Sequence, residues 1–209
     1  ATGWSSPTQT KADLFSKDCK DPKLSAPSNQ FGSEIPDEGS NYAGIVMYSE
    51  KDKQPRSYLQ SELTSALTPE RTYCIKFNVS LADLSKVAVN NVGMYVSSQK
   101  VTEQEINNQN LKPQVQHSKN KVMLDNGMWE TICTKYKAKG GEKFITIGNF
   151  NKSVDTKFEK VKKPTGVAGA QLGIAYYYIE NIIVAPIDSV PNCACEKLAS
   201  EQKMEVVSS

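Results

Sequence analysis

Short alternating segments constrain this chain more than any other feature. Residues 42–48 (YAGIVMY), 58–63 (YLQSEL), 73–79 (YCIKFNV), 92–96 (VGMYV), 129–136 (WETICTKY), 144–147 (FITI) and 176–184 (YYYIENIIV) are each rich in aromatic and β-branched residues. Most are bounded by Gly, Pro, Asn, Asp or Ser, the punctuation of strands. In 73–79, Tyr73, Ile75, Phe77 and Val79 point one way and Cys74, Lys76 and Asn78 the other, the period of a half-buried strand. No amphipathic stripe runs longer than about two helical turns. The helix candidates are short: 61–66, 81–85 and 102–107. LTPERTY (67–73) reads as a strand–turn–strand connection with Pro69 in the turn, and KAKGGEKF (137–144) as a hairpin turning at Gly140-Gly141. Many short strands without a long helix predict an all-β fold, an antiparallel two-sheet β-sandwich.

The chain has 209 residues, enough for one large β domain. The sandwich is placed at 1–185, with 1–40 as a long ordered entry loop and 186–209 as a polar linker or tail. Residues 97–126 are polar, with one edge strand expected near 112–116. Residues 151–173 carry charge and then GVAGAQLG. Loops this long in a compact domain tend to be functional or mobile.

A formal net charge of +2 is too small to argue for nucleic acid or an anionic membrane. The cluster Lys157, Lys160, Lys162 and Lys163 reads as a solvated loop rather than a phosphate site. No run approaches the ~18 apolar residues of a membrane span, so the chain is not expected to span a membrane itself. The opening ATGWSSPTQT carries no leader and reads as a mature or trimmed start.

The five cysteines are Cys19, Cys74, Cys133, Cys193 and Cys195. Cys74 and Cys133 each fall on the polar side of their strands, where a free thiol is out of place. Their shared facing predicts a Cys74–Cys133 disulfide, provided the two strands are neighbours. Cys193-Ala194-Cys195 has the wrong spacing for a thioredoxin-type motif, and no second pair is expected to complete a zinc site. One of these two is a candidate partner for Cys19. The single histidine, His117, sits in a polar loop (QVQHSKN) and is expected to be solvent-exposed. None of the HExxH, GxSxG, P-loop or GxGxxG patterns occurs, and no acidic pair reads as a hydrolytic one. The chain is not expected to be an enzyme, and no cofactor is expected apart from the calcium considered below.

Several stretches together resemble a known family. They are residues 41–45 (NYAGI), 56–60 (RSYLQ), 67–82 (LTPERTYCIKFNVSLA), 90–93 (NNVG), 129–150 (WETICTKYKAKGGEKFITIGNF), 175–183 (AYYYIENII) and the opening GWSSPTQTKADLFSKDC. In order and spacing this resembles the jelly-roll domains of Bacteroidota envelope proteins, which often precede an OmpA-type peptidoglycan-binding domain. Two departures stand out. The strand resembling NLVPNPSFE that usually precedes the tryptophan is missing, and the chain stops at MEVVSS, so it is expected to be a fragment or a member without its anchor.

The resemblance implies a galactose-binding-like sandwich similar to carbohydrate-binding modules. The expected function is then a non-catalytic binding or interaction module in the periplasm, at the outer membrane or on the cell surface. Its expected partner is a cell-surface glycan or an envelope protein complex. Modules of this kind stack sugars on aromatic rings; Arg56, Tyr58 and Trp129 are the candidate ligand contacts, among aromatics that also include Tyr48, Tyr95, Phe150, Tyr176 and Tyr178. They often hold a structural calcium through an acid of the last strand, a place taken here by Glu180. The alternative is an accessory or plug-like subunit docking on an outer-membrane complex such as the type 9 secretion translocon, through 97–126 and 151–173.

Overall fold

The computed structural model describes residues 3–190, 193 and 195–197. Among these, fourteen strands account for most of the regular structure. In chain order they are β1 (Trp4–Ser5), β2 (Asp13–Ser16), β3 (Ser28–Asn29), β4 (Gly32–Ser33), β5 (Asn41–Ser49), β6 (Leu59–Glu62) and β7 (Thr72–Leu81). There follow β8 (Val87–Val89), β9 (Gly93–Ser97), β10 (Val115–Gln116), β11 (Glu130–Lys137), β12 (Phe144–Gly148), β13 (Phe158–Lys160) and β14 (Ile174–Pro186). The first large sheet has the order β1-β6-β12-β9-β10 and the second β11-β7-β14-β5-β2, with every pairing in both antiparallel. The protein is an all-β, two-sheet antiparallel sandwich.

All seven sequence-predicted strands form, because each carries an apolar face that the opposite sheet covers. Ile45, Ile75, Phe77, Met94, Ile145, Ile147 and Tyr177 meet in the central core. In β14 the run Tyr176-Tyr177-Tyr178 is buried on both faces: Tyr177 points into the central core, while Tyr176 and Tyr178 point into a second core with Phe15, Tyr42 and Val46. That second core lies outside the second sheet, where Phe31 stacks on Tyr176 with ring centroids 3.8 Å apart. A third cluster, Tyr58, Val101, Ile106 and Phe150, covers the outer side of the first sheet. Both sheets are thus clothed on their outward faces by connecting segments.

The predicted entry loop is only partly a loop. It contributes β1 to the edge of the first sheet and β2 to the edge of the second. Of the helix candidates, 102–107 forms as α1 (Glu103–Asn107), closed by a capping box between Thr102 and Glu105. The other two do not form: 61–66 is claimed by β6 and the turn after it, and Leu81 ends β7. Tertiary pairing overrides local preference there. The edge strand expected near 112–116 is β10.

The Gly140-Gly141 connection is not a hairpin. It joins β11 of the second sheet to β12 of the first, so it arches between the sheets. Both glycines have positive φ (102° and 86°), where a β-carbon would be strained. The arch runs beside the Pro69 connection, which also crosses between sheets. Gly141 N–H donates to the Leu67 carbonyl at 3.0 Å and Leu67 N–H to the Glu142 carbonyl at 2.8 Å. No helix among the described residues is long and apolar enough to cross a membrane.

Candidate functional site

Two concavities lie where the clothing of the sheets is incomplete. The first, of about 410 Å³, is lined by Thr8, Gln54, Arg56, Tyr58, Asn107 and Asn151 among others. It brings Arg56 and Tyr58 together, but their polar atoms are already engaged. Arg56 donates from Nη1 to the carbonyls of Asn149 (2.9 Å) and Asn151, and from Nη2 to Ser153 Oγ (3.0 Å). The Tyr58 hydroxyl donates to the same Asn149 carbonyl at 2.7 Å, and burial raises its pKa. The pair braces the loop after β12.

The second concavity is larger, about 720 Å³, and opens between the edges of the two sheets. β1 brings Trp4 from the first sheet, and β2 brings Asp13 and Leu14 from the second; Lys11, Asn41 and Asn181 complete the polar lining. Leu14 is 43% exposed although it stands on a strand, because the groove leaves it uncovered. Asp13 accepts a hydrogen bond from the Tyr176 hydroxyl at 2.6 Å, and burial raises its carboxyl above the ordinary range. The indole of Trp4 is half-buried, with one side packed on the central core. Sequence reasoning did not single out Trp4. Its signal was there: a lone indole in GWSSPTQT, with no apolar alternation around it to mark it as core.

Trp129 lines neither concavity. Its Nε1–H donates to the Ile35 carbonyl at 2.8 Å, and its ring meets Tyr42 edge-on at 5.9 Å. Of the other aromatics, Tyr48, Tyr176 and Tyr178 are core residues, Phe150 is buried at the back of the first concavity, and Tyr95 is half-buried.

Glu180 is buried beneath the segment 34–38. Its two carboxylate oxygens accept the backbone N–H groups of Asp37 (2.8 Å) and Glu38 (3.0 Å). Asp37 in turn accepts from the side-chain amides of Asn78 (2.9 Å) and Asn181 (2.6 Å). Burial raises the carboxyls of Glu34 and Glu180. Calcium needs several oxygens converging on one point. Here N–H donors occupy both oxygens of Glu180, and no three-ligand carboxylate group forms among the described residues. These residues do not fit the ion; Glu180 pins a loop.

His117 is not exposed. Residues 115–123 fold it against β11, leaving it 6% exposed with Nε2 at 3.7 Å from Glu130 Oε1. Burial, with Lys121 and Lys119 nearby, pushes its pKa down to about 4. Its Nδ1 accepts the backbone N–H of Lys119 at 3.2 Å, so the ring closes its own loop.

The predicted Cys74–Cys133 disulfide does not form. The strands are neighbours as expected, but the register sets Cys74 opposite Lys135 and Cys133 opposite Lys76. The two cysteines lie on a diagonal, where β-carbons are about 7–8 Å apart, too far for one S–S bond. The tail closes the gap instead. Cys193 bonds to Cys74 and Cys195 to Cys133, with Cα–Cα distances of 5.9 and 5.0 Å. Cys19 is therefore left free, not paired with the tail. Cys74 stands on the polar side of β7 as predicted and is nevertheless fully buried, because the tail covers it. The remainder of the expected linker beyond residue 197 lies outside the described residues.

No protein-family profile matches the chain, and no curated protein does. Solved structures of similar shape exist. One holds the CBM22-1 and GH10 modules of Clostridium thermocellum endo-1,4-beta-D-xylanase 10B, complexed with xylohexaose (TM-score 0.45, 11% identity, 91% of this chain and 27% of that chain). Another is the K1 cleaved adhesin domain of Lys-gingipain from Porphyromonas gingivalis W83 (TM-score 0.42, 10% identity, 89% and 92% covered). The K2 domain of Lys-gingipain is a third (TM-score 0.46, 11% identity, 86% and 88% covered). This chain thus spans about a quarter of the length of the xylanase chain. At these identities no side chain of one maps onto a side chain of another.

Proposed function

We propose that this chain is a non-catalytic binding module of the bacterial cell envelope, and that the groove beside Trp4 takes a polyhydroxylated ligand, a cell-surface glycan. The observation that carries the reading is the groove itself. It sets a half-buried indole and an uncovered leucine beside Lys11, Asp13, Asn41 and Asn181. A pyranose offers an apolar face to a ring and hydroxyls to amides and charges, and this lining supplies both. Asp13 and Asn181 are bonded to Tyr176 and Asp37, as Arg56 and Tyr58 are to backbone carbonyls, so the groove is favoured for its indole and its uncovered leucine, with Lys11 and Asn41 as the polar contacts. The two disulfides support an oxidising home, the periplasm or the cell surface.

A glycan array followed by affinity electrophoresis tests this. Binding is expected to be lost in Trp4→Ala and kept in Tyr58→Phe. Silence across a broad array, or full binding by Trp4→Ala, overturns it.

A second reading, docking on an outer-membrane protein complex such as the type 9 secretion translocon, is favoured by one observation. Ile35 and Met128 are 70% and 65% exposed and flank Trp129 at one end of the sandwich. Cross-linking in envelope extracts should then recover one stable partner, lost in Ile35→Glu/Met128→Glu; a chain that cross-links to nothing rules this out.

A further inference from the structure

The four bonded cysteines form a closer group than two separate disulfides require. The Sγ atoms of Cys74, Cys133, Cys193 and Cys195 all lie within 4.8 Å of one another, and those of Cys193 and Cys195 are 3.4 Å apart. Tetrahedral zinc with Zn–S bonds of about 2.3 Å places its sulfurs roughly 3.8 Å apart. The group is therefore near the size of a tetrathiolate cage. We propose that, in the reduced protein, these four residues bind a single zinc ion, so that the tail is fastened to the second sheet by metal or by two disulfides according to redox state.

Three features of the site support this. It is built on rigid ground, since β7 and β11 pair continuously from Thr72↔Lys137 to Val79↔Glu130 and fix Cys74 and Cys133 on one face. The Cys-x-Cys spacing of the tail spans the diagonal between them, so all four ligands arrive without rearranging the sheet. The charge is also suitable. The register makes a checkerboard in which Lys76 faces Cys133 and Lys135 faces Cys74. Lys135 is ion-paired with Glu196 at 2.7 Å, so Lys76 is the cation that favours the thiolates zinc needs and offsets part of the net charge of −2 that the complex carries. Cys74 and Cys195 are buried and Cys133 and Cys193 half-buried, which limits competition from water.

The chemistry balances. Each disulfide is cleaved by one dithiol, which closes to its own cyclic disulfide and leaves two protein thiols. Zinc then binds the four sulfurs and releases their four protons to solvent. This assignment is independent of what the Trp4 groove binds.

The test starts from the full chain, reduced with excess dithiol and desalted under nitrogen. One equivalent of cobalt(II) should give the intense visible absorption of a tetrahedral sulfur site. One equivalent of zinc should bleach it, and native mass spectrometry should then show one zinc per chain. Cys193→Ser/Cys195→Ser should lose the signal, and Cys19→Ser should keep it. A reduced chain that loses its near-ultraviolet circular dichroism and recovers it on adding zinc also supports the site. The proposal is overturned if the reduced chain gives no tetrahedral cobalt spectrum, if the double variant binds as the parent does, if Cys19→Ser abolishes binding, or if a chain unfolded by reduction stays unfolded with zinc.

Discussion

His117 Nε2 and Glu130 Oε1 stand 3.7 Å apart inside the protein, beyond hydrogen-bond reach, while Lys121 Nζ holds the same glutamate oxygen at 2.9 Å. Neither His117 Nε2 nor Glu130 Oε2 finds another partner among the described residues. The imidazole is held neutral, its pKa lowered to about 4 by burial and by Lys121 and Lys119.

The consequence is a loss of stability in mild acid. Unfolded histidine takes a proton near pH 6.5, whereas folded His117 resists until about pH 4. Between those values the unfolded state binds the extra proton, so stability falls as pH falls, by about 1.4 kcal/mol per pH unit at most. Glu130 works the other way: burial raises its carboxyl, and protonation relieves that penalty toward the acid end of the window. The buried carboxyls of Asp13, Glu34 and Glu180 act in the same sense as Glu130, so the His117 contribution is read by difference: the urea midpoint of the parent minus that of His117→Asn should fall from pH 7.5 to pH 4.5.

Arg56→Ala should destabilise by about 1–3 kcal/mol, because it removes donors from the carbonyls of Asn149 and Asn151 in a half-buried loop. Lysine cannot reproduce the fork and should recover less than half of the loss. Thermal and urea unfolding check this. If the groove beside Trp4 is the binding site, ligand affinity in Arg56→Ala stays within about twofold of the parent.

Gly44→Ala tests how tightly the second core is filled. A β-carbon at Gly44 would run into the Tyr176 hydroxyl and the Phe15 ring, both fixed by packing. Overpacking of this kind costs roughly 1–3 kcal/mol. The variant should show a lower urea midpoint and altered near-ultraviolet circular dichroism, since these are aromatic contacts.

In the oxidised chain, Cys193→Ser/Cys195→Ser should lower stability by about 3–5 kcal/mol, because the Cys74–Cys193 bond closes a loop spanning 119 positions. Reducing the parent in the presence of a chelator should bring its urea midpoint close to that of the variant.

The strands were legible because alternation and β-branched content act locally, and the opposite sheet merely accepts what they offer. β7 shows this best: Tyr73, Ile75 and Phe77 read as one face and all three pack in the central core. Pairing register is not local. One unit of information, that Cys133 faces Lys76 rather than Cys74, separates the expected disulfide from the two observed. The Cys-x-Cys tail read as an isolated pair because its partners lie 62 and 119 positions away. His117 read as exposed because its polar neighbours suggest a loop, and only the fold reveals that the loop closes onto Glu130. Trp4 was passed over for the same reason. A groove between two sheet edges belongs to no single segment, so the sites read from one strand, Arg56, Tyr58 and Trp129, turned out to brace loops.

The cross-bonded tail also determines how the domain carries load. A pull on the chain beyond Cys195 does not reach the end of β14 first. It passes through sulfur into β7 and β11, next to each other in the sheet, with β14 and β5 on the far side of β7. Peeling β14 away from its C-terminal end is thereby bypassed. Load on the tail is therefore delivered to two strands at once, β11 at the sheet edge and β7 beside it, instead of to the free end of β14.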